Sequence, residues 1–194
     1  MFTNTKTFHF IDANKHDQNT RKKISDLFKE NYTRDFEPFT EEKLGIQDIS
    51  KHDYINKIVE DGMKLWDEGL VSCRLCLHNQ EILAVAVYGQ DPDDKNIVLL
   101  DLQVASKYIK QEPEISNQII EDLERLYPDA PTMQTHVRQI AENEQALYQD
   151  KLGFNKIDKD IKSTAYKQKI FSWPGSYIAY EHPSKQHQLN MSRH

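Results

Sequence analysis

The chain is poor in cysteine, has no long apolar run and has no excess of basic residues, and each shortage removes a class of protein. Two cysteines in 194 residues are too few for a disulfide framework and fit a reducing compartment. No window approaches the roughly 18 consecutive apolar residues of a membrane span, and the N-terminal MFTNTKTFHFIDANKHD lacks the apolar region of a signal peptide. The expectation is a cytoplasmic protein with no membrane partner. Lys and Arg number 25 against 31 Asp and Glu, a net charge of −6, so the basic footprint of a sequence-independent nucleic-acid binder is missing. No internal repeat is visible, and the length suits one domain over 1–183. The polar stretch 184–194, without periodicity, reads as a mobile tail.

What is present is a change of hydrophobic period along the chain. Phe8 and Phe10 alternate with polar neighbours over 7–12 and predict a first strand. Ile24, Leu27, Phe28 and Tyr32 recur at helical spacing over 21–32. Ser50 then reads as the N-cap of a second helix carrying Ile55, Ile58, Val59 and Trp66, with Gly69 at its end. From Val71 the period falls to two, and a turn at 78–80 makes residues 71–88 a hairpin. IVLLDLQV (97–104) is a third strand with Val98, Leu100, Leu102 and Val104 on one apolar face and Asp101 and Gln103 on the other, which turns polar. A helix over 114–127, a strand at TMQTHV, a helix over 141–151 and strands at KIDKDI and SYIAYEH complete the order βααβββαβαββ. That order is an α/β fold, a mixed sheet with helices on its faces.

Three segments carry a family resemblance over 71–158: the hairpin LHNQEILAVAVY, the strand LLDLQV leading into a loop and helix, and NEQALYQDKLGF. Together they resemble the GNAT superfamily of acyl-CoA-dependent N-acyltransferases, the third segment being the most specific. The resemblance implies a GNAT-like fold, acetyl-CoA as co-substrate and transfer of an acetyl or other acyl group to a primary amine. It implies Tyr148 as the acid that protonates the leaving thiolate, Asp101 as a base or substrate-binding carboxylate, and Asn143 as a contact to the pantetheine arm. Backbone around Leu102 to Val104 with Gln111 and Ser116 would complete the cofactor contacts. The acceptor implied is a small-molecule amine, a Lys side chain or a protein N-terminus, and the acidic balance favours a cationic one.

Aligning QEPEIS with the family's QxxGxG/A loop puts Gln111 and Ser116 at its ends and Glu114 at its glycine. A pyrophosphate at a helix N-terminus needs close approach to backbone N–H groups, and Pro113 removes one of them. A carboxylate at about 5 Å and an effective dielectric near 20 would cost about 3 kcal/mol, against the ~0.3 to 1 kcal/mol that a helix terminus contributes. Weak cofactor affinity follows if Glu114 faces the phosphates. A noncatalytic GNAT-like binding module is then the alternative reading.

Other residues stay open. Cys73 and Cys76, three apart on a strand, should face opposite sides of the sheet, which excludes a disulfide or zinc pair; no metal site is expected. His136 and Arg138 share a strand face, either as substrate contacts or as a polar edge. Trp173 in SWPGSY lies in a substrate-gripping loop or a hairpin tip.

Overall fold

A computed structural model describes residues 7–183; the tail assigned to 184–194 lies outside them. Both N-terminal helices start where a side-chain oxygen meets free backbone donors. Asp17 accepts from the N–H groups of Asn19 and Thr20 to open α1 (Gln18–Phe36), and Ser50 accepts from Asp53 to open α2 (Lys51–Asp67). The Asp17 cap lies upstream of the apolar spacing and Phe36 extends the buried stripe beyond Tyr32, so α1 exceeds the expected 21–32 at both ends. Gly69, at φ 74°, ends α2 as expected.

Strands β1 (His9–Asp12), β2 (Ser72–His78), β3 (Glu81–Gln90) and β4 (Ile97–Val104) form an antiparallel meander. The β2–β3 turn holds Asn79 and Gln80 at φ 49° and 65°, the type I′ signature. After a 3-10 turn at Ser106–Gln111 come α3 (Glu112–Leu126), β5 (Thr132–Arg138) and α4 (Glu142–Ala146), which runs into a π-helical turn at Leu147–Lys151. Then follow β6 (Asn155–Ile157), α5 (Ala165–Ile170) and β7 (Tyr177–Pro183). The seven strands lie in the order β1-β2-β3-β4-β5-β7-β6, with β4 and β5 the parallel pair.

Helices α1 and α2 cover one face of the sheet and α3 the other, each over its own core. Cys73 is buried in the first core and Cys76 in the second, both as free thiols, so the expected opposite facing holds. Burial pushes both thiols up to about 12, where they are inert. No helix of the described residues is long and apolar enough to cross a membrane.

Two expectations need correction. The chain order gains α5, whose six residues are too short and polar to show a helical stripe. The helix is pinned by polar contacts: the buried Lys167 ammonium pairs with Asp94 and, at 3.6 Å, with Asp91, which accepts from Thr164 Oγ1 at 2.5 Å. The even positions of β4 also do not share one face. A β-bulge inserts Leu100, since Val87 pairs with Asp101 but Tyr88 pairs with Leu99. Val98 and Leu100 face the α1/α2 core, Leu102 and Val104 the α3 core.

Gly89 on β3 lies under α5, whose Tyr166 hydroxyl donates to the Leu70 carbonyl at 2.7 Å. A Cβ at Gly89 would sit 2.8 Å from the Leu70 carbonyl oxygen and overlap that hydroxyl. Gly89→Ala should therefore destabilise by about 1–3 kcal/mol in urea unfolding; unchanged stability would mean α5 yields freely.

Candidate active site

Strands β4 and β5 pair only over Ile97–Leu99 and Met133–Thr135, and beyond Leu99 they part. The gap opens into a cleft of about 1200 Å³ bounded by α1, α4 and the loop before β7. The bulge at Leu100 lies at the point of parting and turns Asp101 toward α1. Ala105 N–H bonds the Leu83 carbonyl, so by antiparallel alternation Gln103 and Asp101 bond toward β3. The backbone groups of Leu102 and Val104 are consequently directed to the opened edge, with the Val104 carbonyl met by Asn31 Nδ2 at 2.9 Å.

Asp101 is 9% exposed and accepts from the Tyr32 hydroxyl and from Gln103 Nε2 at 2.9 Å. Burial pushes its pKa up to about 6, opposed by the Gln103 and Leu102 N–H donors and by the Arg138 charge. At neutral pH it is a carboxylate that takes a proton far more readily than an exposed one. Tyr148, 3% exposed, approaches from the other face of the sheet, with Phe154 edge-on at 5.0 Å and its hydroxyl bonded to Thr135 on the last paired step of β5. Burial first, then the charges of Glu144, Asp101 and Glu112, hold its pKa well above the ordinary phenol value. The hydroxyl is thus firmly protonated, and a weaker acid than the phenol reference of about 10 implies.

Glu144 was missed in the sequence. It precedes Tyr148 by four residues, so α4 and the π turn present both to the cleft. Burial and the Asp101, Asp35 and Glu112 carboxylates push it up to about 8, against the pull of Arg138. Arg138 is fixed under three rings, Phe36, Tyr54 and Tyr177, at 5.2, 5.5 and 5.2 Å, and donates to the Tyr54 hydroxyl at 2.5 Å. His136 also lines the cleft, between Phe171 and Tyr177, and burial drops its pKa to about 4. Trp173 is on the cleft wall as well.

The expected cofactor residues divide. Leu102 and the exposed Asn143 line the cleft. Val104 is buried, as is Ser116 at 1% exposure on α3, and neither Ser116 nor Gln111 is on the wall. Helix α3 begins at Glu112, two residues before the expected start, with Gln111 preceding it and Pro113 in its first turn. That shift leaves Glu114 exposed and off the cleft wall, while Glu112 is on it, its pKa raised by burial and lowered by Arg34. Lys107, on the 3-10 turn before α3, pairs with Glu81.

No protein-family model and no curated protein matches the sequence. Solved structures do. A GNAT-family acetyltransferase from Staphylococcus aureus matches over 92% of this chain and 100% of its own, at TM-score 0.59 and 13% identity. The chain has the GNAT fold. The same GNAT likeness extends to the PaiA N-acetyltransferase of Thermoplasma acidophilum in complex with coenzyme A, at TM-score 0.64 and 11% identity over 91% of this chain and 99% of that one. An acetyltransferase from Streptococcus agalactiae matches at TM-score 0.57 and 15% identity over 91% and 98%.

The raised carboxyls have a stability cost with a definite sign. Between pH 4.5 and about 8 native Glu144 keeps a proton that the unfolded chain has lost, so ionising it weakens the native state as pH rises. Glu144→Gln should raise stability at pH 8 by about 1–3 kcal/mol and change nothing at pH 4. Thermal melts of both proteins at the two pH values check this, and equal melts at pH 8 would place Glu144 in water.

Proposed function

We propose that the chain transfers an acyl group from acetyl-CoA, or a related thioester, to a primary amine. The observation that carries this reading is the opened edge of β4 beyond Leu99, with Asp101 reaching it from one face of the sheet and Tyr148 from the other. An uncovered strand edge suits an extended amide-bearing chain such as the pantetheine arm. Leu102 and Asn143 on the cleft wall and the backbone N–H of Val104 at the opened edge would hold that arm, with Arg34 the cleft cation nearest the 3-10 turn. When bound, the thioester supplies the activated acyl carbonyl.

The amine must be neutral to attack, and Asp101, ionised at neutral pH and largely desolvated, is placed to take its proton. Tyr148 keeps its proton and can give it to the departing sulfur, and the second proton that the nitrogen loses as the amide forms can return to the phenolate. A cationic acceptor fits the lining best: five carboxylates (Asp35, Glu42, Asp101, Glu112, Glu142) and the protonated Glu144 face three cations (Arg34, Lys43, Arg138). A second ammonium among the carboxylates would also relax the field that makes Tyr148 a weak acid. The noncatalytic binding module is the competing reading. It draws on Glu112 and Pro113 at the start of α3, where an anion would otherwise be favoured.

Calorimetric titration with acetyl-CoA should show binding. Glu112→Gln should tighten it more than Glu114→Gly, with the gain shrinking in high salt. With an acceptor found by a thiol-release screen of amines, Tyr148→Phe should lower turnover by about 100-fold or more while cofactor affinity stays. Parental turnover in Tyr148→Phe would remove the acid role. Binding without turnover on any amine would favour the module.

A further inference from the structure

Beside Asp101 runs a chain of hydrogen bonds, buried at its Asp101 end and half-buried at Arg34, whose direction is fixed from that far end. Arg34 of α1 carries donors only, and its Nη1 meets Ser106 Oγ at 3.1 Å and Asn31 Oδ1 at 3.5 Å. Ser106 Oγ donates to the same Asn31 oxygen at 3.0 Å. The Asn31 nitrogen therefore points the other way and donates to the Val104 carbonyl and to Gln103 Oε1, both at 2.9 Å. With its oxygen so engaged, Gln103 presents Nε2 to Asp101 Oδ1 at 2.9 Å. A reversed Gln103 would set oxygen against carboxylate and nitrogen against nitrogen. Asn31, Gln103 and Asp101 are 1%, 8% and 9% exposed, so water cannot repair such contacts.

We infer that Asn31 and Gln103 are positioning residues for Asp101. Asn31 sets the Gln103 amide, and the Gln103 donor holds the Asp101 carboxylate ionised and fixed at the bulge. The inference rests on the reading of Asp101 as the proton acceptor of acyl transfer, and it adds residues that touch neither amine nor thioester in that reading.

The other groups acting on Asp101 come from every side of the cleft. From α1 the Tyr32 hydroxyl donates to it, and from β5 the Arg138 charge favours its ionised form. Glu144 of α4, Tyr148 of the π turn and Tyr177 of β7 lie in the field of Asp101, whose charge holds each more firmly protonated, and Glu112 and Asp35 line the same cleft. Helix α2 brings apolar Ile58 to the cleft wall. Among the described residues Arg138 is the one cation acting on the carboxylate, and desolvation is what opposes its ionisation; Glu144, raised to about 8, is still neutral when Asp101 gives up its proton. The Tyr32 O–H and the N–H donors of Leu102 and Gln103 carry the remaining support for the charged form, and Gln103 is the side-chain N–H among them.

The test is carboxyl NMR titration of protein labelled with carbon-13 at Asp side chains, which leaves Glu144 silent; Asp101→Asn identifies the resonance. Gln103→Leu should raise the Asp101 pKa by about one unit or more. Asn31→Ala should also raise it, although Asn31 makes no contact with the carboxylate; if that variant does not fold, Asn31→Ser is read in its place. An unchanged pKa in folded Gln103→Leu overturns the inference. A shift in Gln103→Leu with none at position 31 overturns the part given to Asn31. The titration needs no acceptor and no turnover, so it stands apart from the acyl-transfer reading. Once an acceptor is known, the acid limb of kcat/KM should move upward with the carboxyl. A limb that stays put while the carboxyl moves would keep the positioning and remove Asp101 from the chemistry.

Discussion

The shortness of the parallel ladder between β4 and β5 is the constraint on which the site depends. After three paired residues on each strand the sheet parts, and a wedge opens where a continuous ladder would have joined backbone to backbone. The bulge at Leu100 reverses the facing of β4 at this point, so a carboxylate that regular alternation would send toward α3 turns toward α1. Helices on both faces keep the opened sheet from collapsing, since each packs over its own core. Every polar side chain in the site takes its position from that opening.

The cost of the arrangement is electrostatic. Asp101, Glu144 and Glu112 each hold a proton more tightly than an exposed carboxyl does, and desolvation is the first cause in all three. Arg138, clamped beneath three rings, offsets part of the charge but cannot swing away to neutralise any one acid fully. Such crowding is what a folding sequence avoids elsewhere: the buried Lys167 is matched by Asp91 and Asp94. Within one chain, the balanced cluster fastens α5, and the unbalanced cluster lines the cleft.

Much of this was legible in the sequence where a residue's role is local. Ser50 and Gly69 bound α2 by capping and by a positive φ, and Cys73 and Cys76 separate by strand alternation. The bulge was not legible, because IVLLDLQV is apolar on both faces through Leu100 and carries no mark of a register change. The start of α3 was misplaced because the family's loop pattern was laid on QEPEIS. The actual start, at Glu112, exchanges which acid meets the cleft. Glu144 could have been found from its four-residue spacing to Tyr148. Asn31 could not, since a helical Asn looks solvated until the β4 edge is seen beside it. Helix α5 hid for a different reason: its buried anchor is a lysine, which hydropathy assigns to the surface.

The chain of amides beside Asp101 also decides where a proton can go. Primary amides and a guanidinium pass hydrogen-bond direction along but do not release or relay protons at neutral pH. A proton arriving on Asp101 therefore has no exit through Gln103, Asn31 and Arg34 into α1. Tyr148, the proton donor of the proposed reaction, stands on the opposite face of the sheet. In the proposed reaction an ammonium acceptor loses two protons and the sulfur gains one: Asp101 takes the first, the second returns to the Tyr148 phenolate as the amide forms, and each cycle leaves one surplus proton on Asp101. That proton has the cleft, which Asp101 and Tyr32 both line, as its way out once the products have gone and water has entered. Recharging the site is then tied to product departure, and a product that lingers blocks both the seat and the drain.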